Sequence, residues 1–297
     1  MLHNQRVMFL LYWTVIAVFG LSCAQHISKD QFSQAATLND GFFVHPNARG
    51  GAIDGRLIGG SEAPAHAFPY QVGLYCTSAT RTTFCGGSLV SKNYILTAAH
   101  CVEKALTVEI ILGAQQILET EETQQLRTSS EFIVHEDWDE EALINDIAFV
   151  KLSEPVEEND YSMLPQPVVF LHSFSLNVND LAGNITGWGR IFANQEGVTP
   201  ILRFLESDIL SNDACKSVLP SYEAVIRSTH LCISGRSSDN VNVGTCNGDS
   251  GGPLVVDGVQ VGLVSFGYKD CEEGMPSVFT RLTEFTDWIR ANSDVDI

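Results

Sequence analysis

From Leu57 onward the chain breaks into short runs of β-branched and aromatic residues, each closed off by turn formers: YQVGLYC, GSLVSKNYILT, TVEIILGA, DIAFVKL, NITGWG and GPLVVDGVQVGLVSFG. Runs of this kind, punctuated by turn signals, read as strands, and the chain as all-β. The last run carries its own turn. Asp257-Gly258 can supply the positive φ values of a tight hairpin between Pro253–Val256 and Val259–Phe266. One helix stands apart from this pattern: in RLTEFTDWIRAN, residues Leu282, Phe285, Trp288 and Ile289 recur at three- and four-residue steps and form one apolar stripe. It is expected to pack on the β structure as a terminal lid. No internal repeat decides between one large β domain and two smaller barrels.

The N-terminus carries a different signal. His3 and Arg6 precede an apolar run from Val7 to Leu21, and Ser22-Cys23-Ala24 then supply small residues suited to cleavage before Gln25. That run is short against the ~20 apolar residues of a membrane span, and no second one occurs. Residues 1–24 are therefore read as a signal peptide, and the mature chain as secreted, extracellular and without stable membrane association. Residues 25–56 are polar, Gly-rich and aperiodic, ending in NARGGAIDGR, which reads as a removable leader. A formal net charge of −19 argues against a nucleic-acid partner, because phosphate binding needs clustered Lys and Arg. The eight cysteines fit an oxidising compartment. With Cys23 assigned to the signal, Cys76, Cys85, Cys101, Cys215, Cys232, Cys246 and Cys271 remain, an odd set that sequence alone does not pair.

A serine hydroxyl is a poor nucleophile at neutral pH, so it needs a nearby base, and the base needs an orienting acid. TAAHC carries His100, NDIAFVKL carries Asp146, and GDSGGP carries Ser250, each beside a predicted strand. Taken singly they have plain structural readings: a packed histidine, a turn aspartate, and a serine in a Gly-rich turn. Their joint occurrence, in this order and with these neighbours, points to chemistry.

LTAAHC, NDIAFVKL, ITGWGR and GDSGGPLV resemble the chymotrypsin-like (trypsin family) serine peptidases, and the resemblance runs from Leu57 to about Asn292. It implies two six-stranded antiparallel β-barrels, a C-terminal helix, and an active site in the interbarrel cleft. In that frame Ser250 attacks the scissile carbonyl and His100 takes and returns its proton. Asp146 holds the imidazole tautomer, and the backbone N–H groups of Gly248 and Ser250 form the oxyanion hole. The stretch SSEFIVHEDWDEEALINDIAFVKL, with VEIILGA before it, further resembles the arthropod brachyurin branch.

The same resemblance implies a zymogen. Arg56-Leu57-Ile58-Gly59-Gly60 looks like an activation junction, with Leu57-Ile58 where the family usually has Ile-Val, and the freed Leu57 ammonium is expected to pair with a buried Asp249. Arg49 is a poorer cleavage site, since Gly50-Gly51 offers no apolar anchor. Gly244, six residues before Ser250, matches the floor of the specificity pocket, and Gly267 and Ser277 match its walls. None is charged, so cleavage after Arg or Lys is disfavoured and a chymotrypsin-like or broad apolar preference is expected, although Asp270 could widen it. The implied disulfides are Cys85 with Cys101, Cys215 with Cys232, and Cys246 with Cys271, each worth roughly 3 kcal/mol in the chain-entropy picture; Cys76 has no family partner and is either free and buried, the preferred reading because GLYC reads as a core strand, or available for an intermolecular bridge. Ala114 stands where calcium-binding relatives carry a glutamate, so no metal or cofactor is expected, and Glu119, Glu121 and Glu122 read as a solvated loop. Asn184-Ile185-Thr186 is a glycosylation sequon inside a predicted strand. The partners implied are protein or peptide substrates, an activating trypsin-like protease and protein protease inhibitors. The competing class is a catalytically dead binding protein on the same fold. A third reading, a cascade protease, usually carries a Cys-rich leader, which residues 25–56 lack.

Overall fold

The computed structural model describes residues 57–157, 181–269 and 271–295; the signal and leader readings, Arg56 and Asp270 lie outside them. The first part of the chain contributes β1 (Ser61–Glu62), β2 (Gln71–Thr77), β3 (Thr82–Leu89), β4 (Tyr94–Thr97), the single turn α1 (Ala99–Val102), β5 (Thr107–Leu112), β6 (Gln125–Ser129), β7 (Glu131–Val134) and β8 (Ala148–Lys151). The second contributes β9 (Ala182–Gly187), β10 (Arg203–Leu210), α2 (Asn212–Val218), α3 (Pro220–Val225), β11 (His230–Ile233), β12 (Pro253–Val256), β13 (Val259–Phe266), β14 (Ser277–Arg281), a 3-10 turn (Leu282–Glu284) and α4 (Thr286–Asn292).

The double-barrel architecture is present, with its halves built differently. In the second half β10, β11, β14, β13, β12 and β9 pair in that order, and β9 pairs back to β10 to close a six-stranded barrel to which β1 adds an edge. The first half is a curled seven-stranded sheet, β6-β5-β2-β3-β4-β8-β7. Its two edge strands are the arms of one bent stretch, broken only at Ser130. Ser129 makes the corner possible: its hydroxyl accepts the Glu131 N–H at 3.0 Å and donates to the Lys151 carbonyl at 2.5 Å, so the backbone groups freed by the bend keep partners.

The hairpin read from Asp257-Gly258 has the strand limits expected, with φ of 48° and 81° at the two turn residues. Its strands are buried on both faces, which is why they read as continuous apolar runs. Val72, Leu74, Ile95, Ile110 and Val150 fill the first sheet, and Leu57, Ile185, Leu231, Leu254 and Phe279 fill the closed barrel. The ends of the chain are exchanged between the halves. Leu57 and β1 belong to the second barrel, whereas α4 lays Trp288 flat on Phe149 of the first sheet at a centroid distance of 5.3 Å. Leu282, Phe285, Trp288 and Ile289 share one cluster with Leu96 and Ile147, so the apolar stripe read from sequence is the docking face. No helix among the described residues is long and apolar enough to cross a membrane.

Among the described residues three disulfides are present: Cys85–Cys101, Cys215–Cys232 and Cys246–Cys271. Cys76 is free and buried, and desolvation pushes its thiol up to about 12. The loop after β5 differs from a merely solvated acidic stretch. Glu121 Oε2 accepts the N–H groups of Gln115 and Gln116 at 2.7 and 3.0 Å, so that carboxylate shapes the loop. Asn184 lies on β9, paired between β10 and β12.

Candidate active site

β4 and β8 are neighbours, with Thr97 opposite Ala148. The turn α1 leaving β4 and the segment entering β8 therefore meet at one end of the sheet, and they carry His100 and Asp146. The His100 ring donates from Nδ1 to Asp146 Oδ2 at 2.8 Å, and its backbone N–H donates to Oδ1 at 3.0 Å. One carboxylate thus fixes both the ring and the main chain of the histidine. Two further hydroxyls, neither singled out from sequence, hold Asp146 from the second barrel. Ser265 on β13 donates to Oδ2 at 2.6 Å, and Thr280 on β14 donates to the Asp146 backbone carbonyl at 2.7 Å.

These contacts set the electrostatics. Asp146 is only 1% exposed, and burial alone would raise its pKa; the His100 charge and the donors from His100 and Ser265 outweigh burial and hold it below the ordinary carboxylate value. For His100 burial works against the imidazolium, but the charge of and hydrogen bond to Asp146 prevail and raise its pKa above 6.5. With the proton fixed on Nδ1, Nε2 of the neutral ring is an acceptor.

Ser250 comes from the loop before β12. Its carbonyl accepts the Gly86 N–H at 2.7 Å, and the next N–H, of Gly251, reaches the Val264 carbonyl at 2.8 Å, so the loop is pinned between strands of both halves. A cleft of about 450 Å³ is lined by His100, Gly248, Ser250, Ser265, Phe266 and the Cys85–Cys101 disulfide. No hydrogen bond joins Ser250 Oγ to His100 Nε2 in this state; Nε2 lies 3.7 Å from Cys101 Sγ. Such bonds are commonly long before substrate tightens them. Gly248 has φ +99°, and a Cβ there would sit 3.1 Å from the Gly189 Cα, so the position favours glycine. Among the described residues no hydrogen bond uses the N–H groups of Gly248 and Ser250. Cys85, Cys101 and His100 bring three potential metal-ligand atoms within 4.8 Å of one another, but the two sulfurs are bonded to each other and are not thiolates.

The other positions fall into two groups. Gly244 and Ser277 are adjacent: a Cβ on Gly244 would lie 3.1 Å from Ser277 Oγ, which itself accepts the Thr245 N–H at 3.0 Å. A Cβ on Gly267 would meet open space. Asp249 is fully buried, its two oxygens accepting the Gly189 and Cys246 N–H groups at 2.9 and 3.0 Å. Desolvation dominates and lifts its pKa to about 7, against the lowering effect of those two bonds. Leu57 is buried in the same barrel, and the next residue, Ile58, accepts the Gly244 N–H at 3.1 Å. No hydrogen bond joins Leu57 to Asp249.

The sequence model of the family described as Trypsin matches residues 57–289. The chain belongs to the trypsin family. Among trypsin-family relatives, brachyurin of Leptuca pugilator is 37% identical over 240 residues, covering 80% of this chain and 99% of the relative. Chymotrypsin of Phaedon cochleariae is 31% identical over 285 residues, covering 94% and 96%. A solved structure described as HL collagenase superposes with a TM-score of 0.68 at 32% identity, covering 80% of this chain and 99% of that one. As a trypsin-family serine endopeptidase the chain is a peptide-bond hydrolase, and peptides are its substrates.

Proposed function

We propose that this chain is a secreted digestive endopeptidase made as a zymogen, with residues 1–24 as signal, 25–56 as propeptide and 57–297 as the peptidase. The observation that carries the reading is the coupling of a buried Asp146 to His100 on the wall of the cleft that also exposes Ser250 and Gly248. His100 Nε2 takes the Ser250 proton as Oγ attacks the scissile carbonyl. The Asp146 carboxylate offsets the positive charge that develops on the ring, and the ring then returns the proton to the leaving amine. The Gly248 and Ser250 N–H groups receive the developing oxyanion; loss of one such donor typically costs ~10²–10³ in turnover.

Cleavage after Arg56 by a trypsin-like protease converts the Leu57 amide into an ammonium. Asp249 supports this scheme, because it is a buried carboxylate held by backbone donors with no cation in contact among the described residues. An apolar preference on the acyl side is supported by Gly244 against Ser277 and by the open Gly267 position. A buried Arg or Lys there would have no counter-charge among the described residues, a cost of several kcal/mol. Protein protease inhibitors are expected to occupy the same cleft.

The test is to cleave the purified precursor after Arg56 and profile it on a peptide library, with Ser250→Ala as control. Cleavage after Phe, Tyr, Leu or Met, absent in the control, is expected. A dominant preference for Arg or Lys would refute the pocket assignment, and full turnover by Ser250→Ala would refute the mechanism.

A further inference from the structure

One buried histidine of the second barrel takes no part in the triad yet touches both cleft walls beside it. His230, the first residue of β11, is 1% exposed. Its Nε2–H donates to the Leu143 carbonyl at 2.8 Å, and its Nδ1 accepts the Arg227 N–H at 3.0 Å. A carbonyl can only accept and an N–H can only donate, so both ring nitrogens are committed and the ring is neutral with its proton on Nε2. The ring also stands edge to face on Phe266, centroids 5.6 Å apart. Leu143 and Phe266 both line the cleft with His100 and Ser250. Leu143 lies three residues before Asp146 and belongs to the first half of the molecule, and it is held at φ +55°, a value unfavourable for a leucine side chain, beside Asn145 at +59°, which asparagine tolerates. Phe266 directly follows Ser265, the donor to Asp146. On the strand paired with β11, Thr280, opposite His230, holds the Asp146 carbonyl.

Resting on the serine-endopeptidase reading above, we infer that His230 is a positioning residue that clamps Leu143 and Phe266 across the interbarrel cleft and thereby shapes the wall along which an extended peptide lies. The clamp is chemical as well as steric. A second proton on Nδ1 would face the Arg227 N–H, leaving two donors opposed, and the ring would have to turn away from Leu143. The charged groups acting on it are Arg227 from the preceding loop, Arg281 from β14 and Asp146 from the segment before β8. Burial and the two arginines oppose the imidazolium, while Asp146 and the Leu143 carbonyl favour it. The clamp is therefore closed at neutral and alkaline pH and opens only in acid.

The proposal separates binding of long substrates from chemistry. His230→Ala and His230→Gln are compared with the wild type on a hexapeptide amide that spans the cleft and on a small activated ester that fills only the acyl pocket. In His230→Ala the hexapeptide KM is expected to rise about tenfold at pH 8, with ester turnover within about twofold. His230→Gln, which retains one side-chain donor for Leu143, should recover part of the loss, and its ratio of hexapeptide to ester KM should stay flat as the pH is lowered, where that of the wild type rises in acid. If His230→Ala does not fold, the Gln variant and the wild-type pH series decide the matter. An unchanged ratio of hexapeptide to ester KM in the variants, even with a lowered Tm, would overturn the proposal and leave His230 a packing residue. Failure of a fluorophosphonate to label wild-type Ser250 would instead overturn the endopeptidase reading beneath it.

Discussion

Asp249 offers the sharpest quantitative test, because its environment commits the uncleaved chain to an electrostatic cost. The carboxylate is sealed from water and, among the described residues, satisfied by two backbone donors alone, and a Cβ on Gly189 would come within 2.4 Å of it, so nothing larger than glycine fits on that side. Its pKa of about 7 against an ordinary 3.8 is a shift of roughly three units, on the order of 4 kcal/mol at 1.36 kcal/mol per unit. The sign follows from proton counting. Between about pH 4 and pH 7 the folded chain keeps a proton that the unfolded chain has lost, so stability falls as pH rises, by ~1.4 kcal/mol per unit. Because the slope halves as the pH reaches the folded value, the window from pH 5 to pH 7 corresponds to about 2 kcal/mol. The assay is urea unfolding of Ser250→Ala protein, which cannot digest itself, in uncleaved form and after cleavage at Arg56. The uncleaved chain should lose about 2 kcal/mol relative to its Asp249→Asn counterpart over that window. On the proposed activation scheme, cleavage gives Leu57 an ammonium to neutralise the carboxylate, and the difference should vanish or reverse. Equal pH slopes before cleavage for the chain that keeps Asp249 and for its Asp249→Asn counterpart would refute the argument, as would a slope that cleavage leaves untouched.

Other outcomes follow from the same site. Asp146→Asn should lower kcat roughly 10⁴-fold, and because Asp146 raises the His100 pKa above 6.5, the residual rate should rise with pH through a lower midpoint than in wild type; an unmoved midpoint in the pH profile would count against the pairing. Ser265→Ala removes one donor from the buried carboxylate, a loss of about 1–3 kcal/mol, and should shift the acid limb of kcat/KM with little change in KM; a change in KM alone would place Ser265 in substrate binding instead. Gly244→Asp should swing a peptide-library profile toward Arg and Lys, and no such swing would show that Gly244 is not the pocket floor.

Strands such as β2 and β12–β13 could be read from sequence because they are almost wholly buried and apolar residues dominate them. Of those that escaped, β10, RFLESDIL, turns Leu205, Ser207 and Ile209 inward and Glu206 and Asp208 outward, whereas β11 and β14 are buried but short and interrupted by His230 and by Thr280 and Arg281. The corner at Ser129 was equally hidden, because it depends on a hydroxyl replacing ladder bonds. At the site, His100, Asp146 and Ser250 stand out through their neighbours in the chain. Ser265, Thr280 and His230 do not, because they act on Asp146 and Leu143 from strands more than 80 positions away. Their only local trace is a polar residue in a buried strand, which sequence alone cannot tell from an ordinary packed one.

The exchange of chain ends bears on how the molecule folds and fails. The second barrel cannot complete its interior without Leu57 from the start of the chain, and the first sheet lacks a cover until α4 arrives from the far end. Neither half is a self-sufficient folding unit, so the two should melt in a single calorimetric transition. Such long-range closure also slows folding. During synthesis the first half emerges with Ile147 and Phe149 uncovered, and it must wait for the last turn of helix before that surface leaves water.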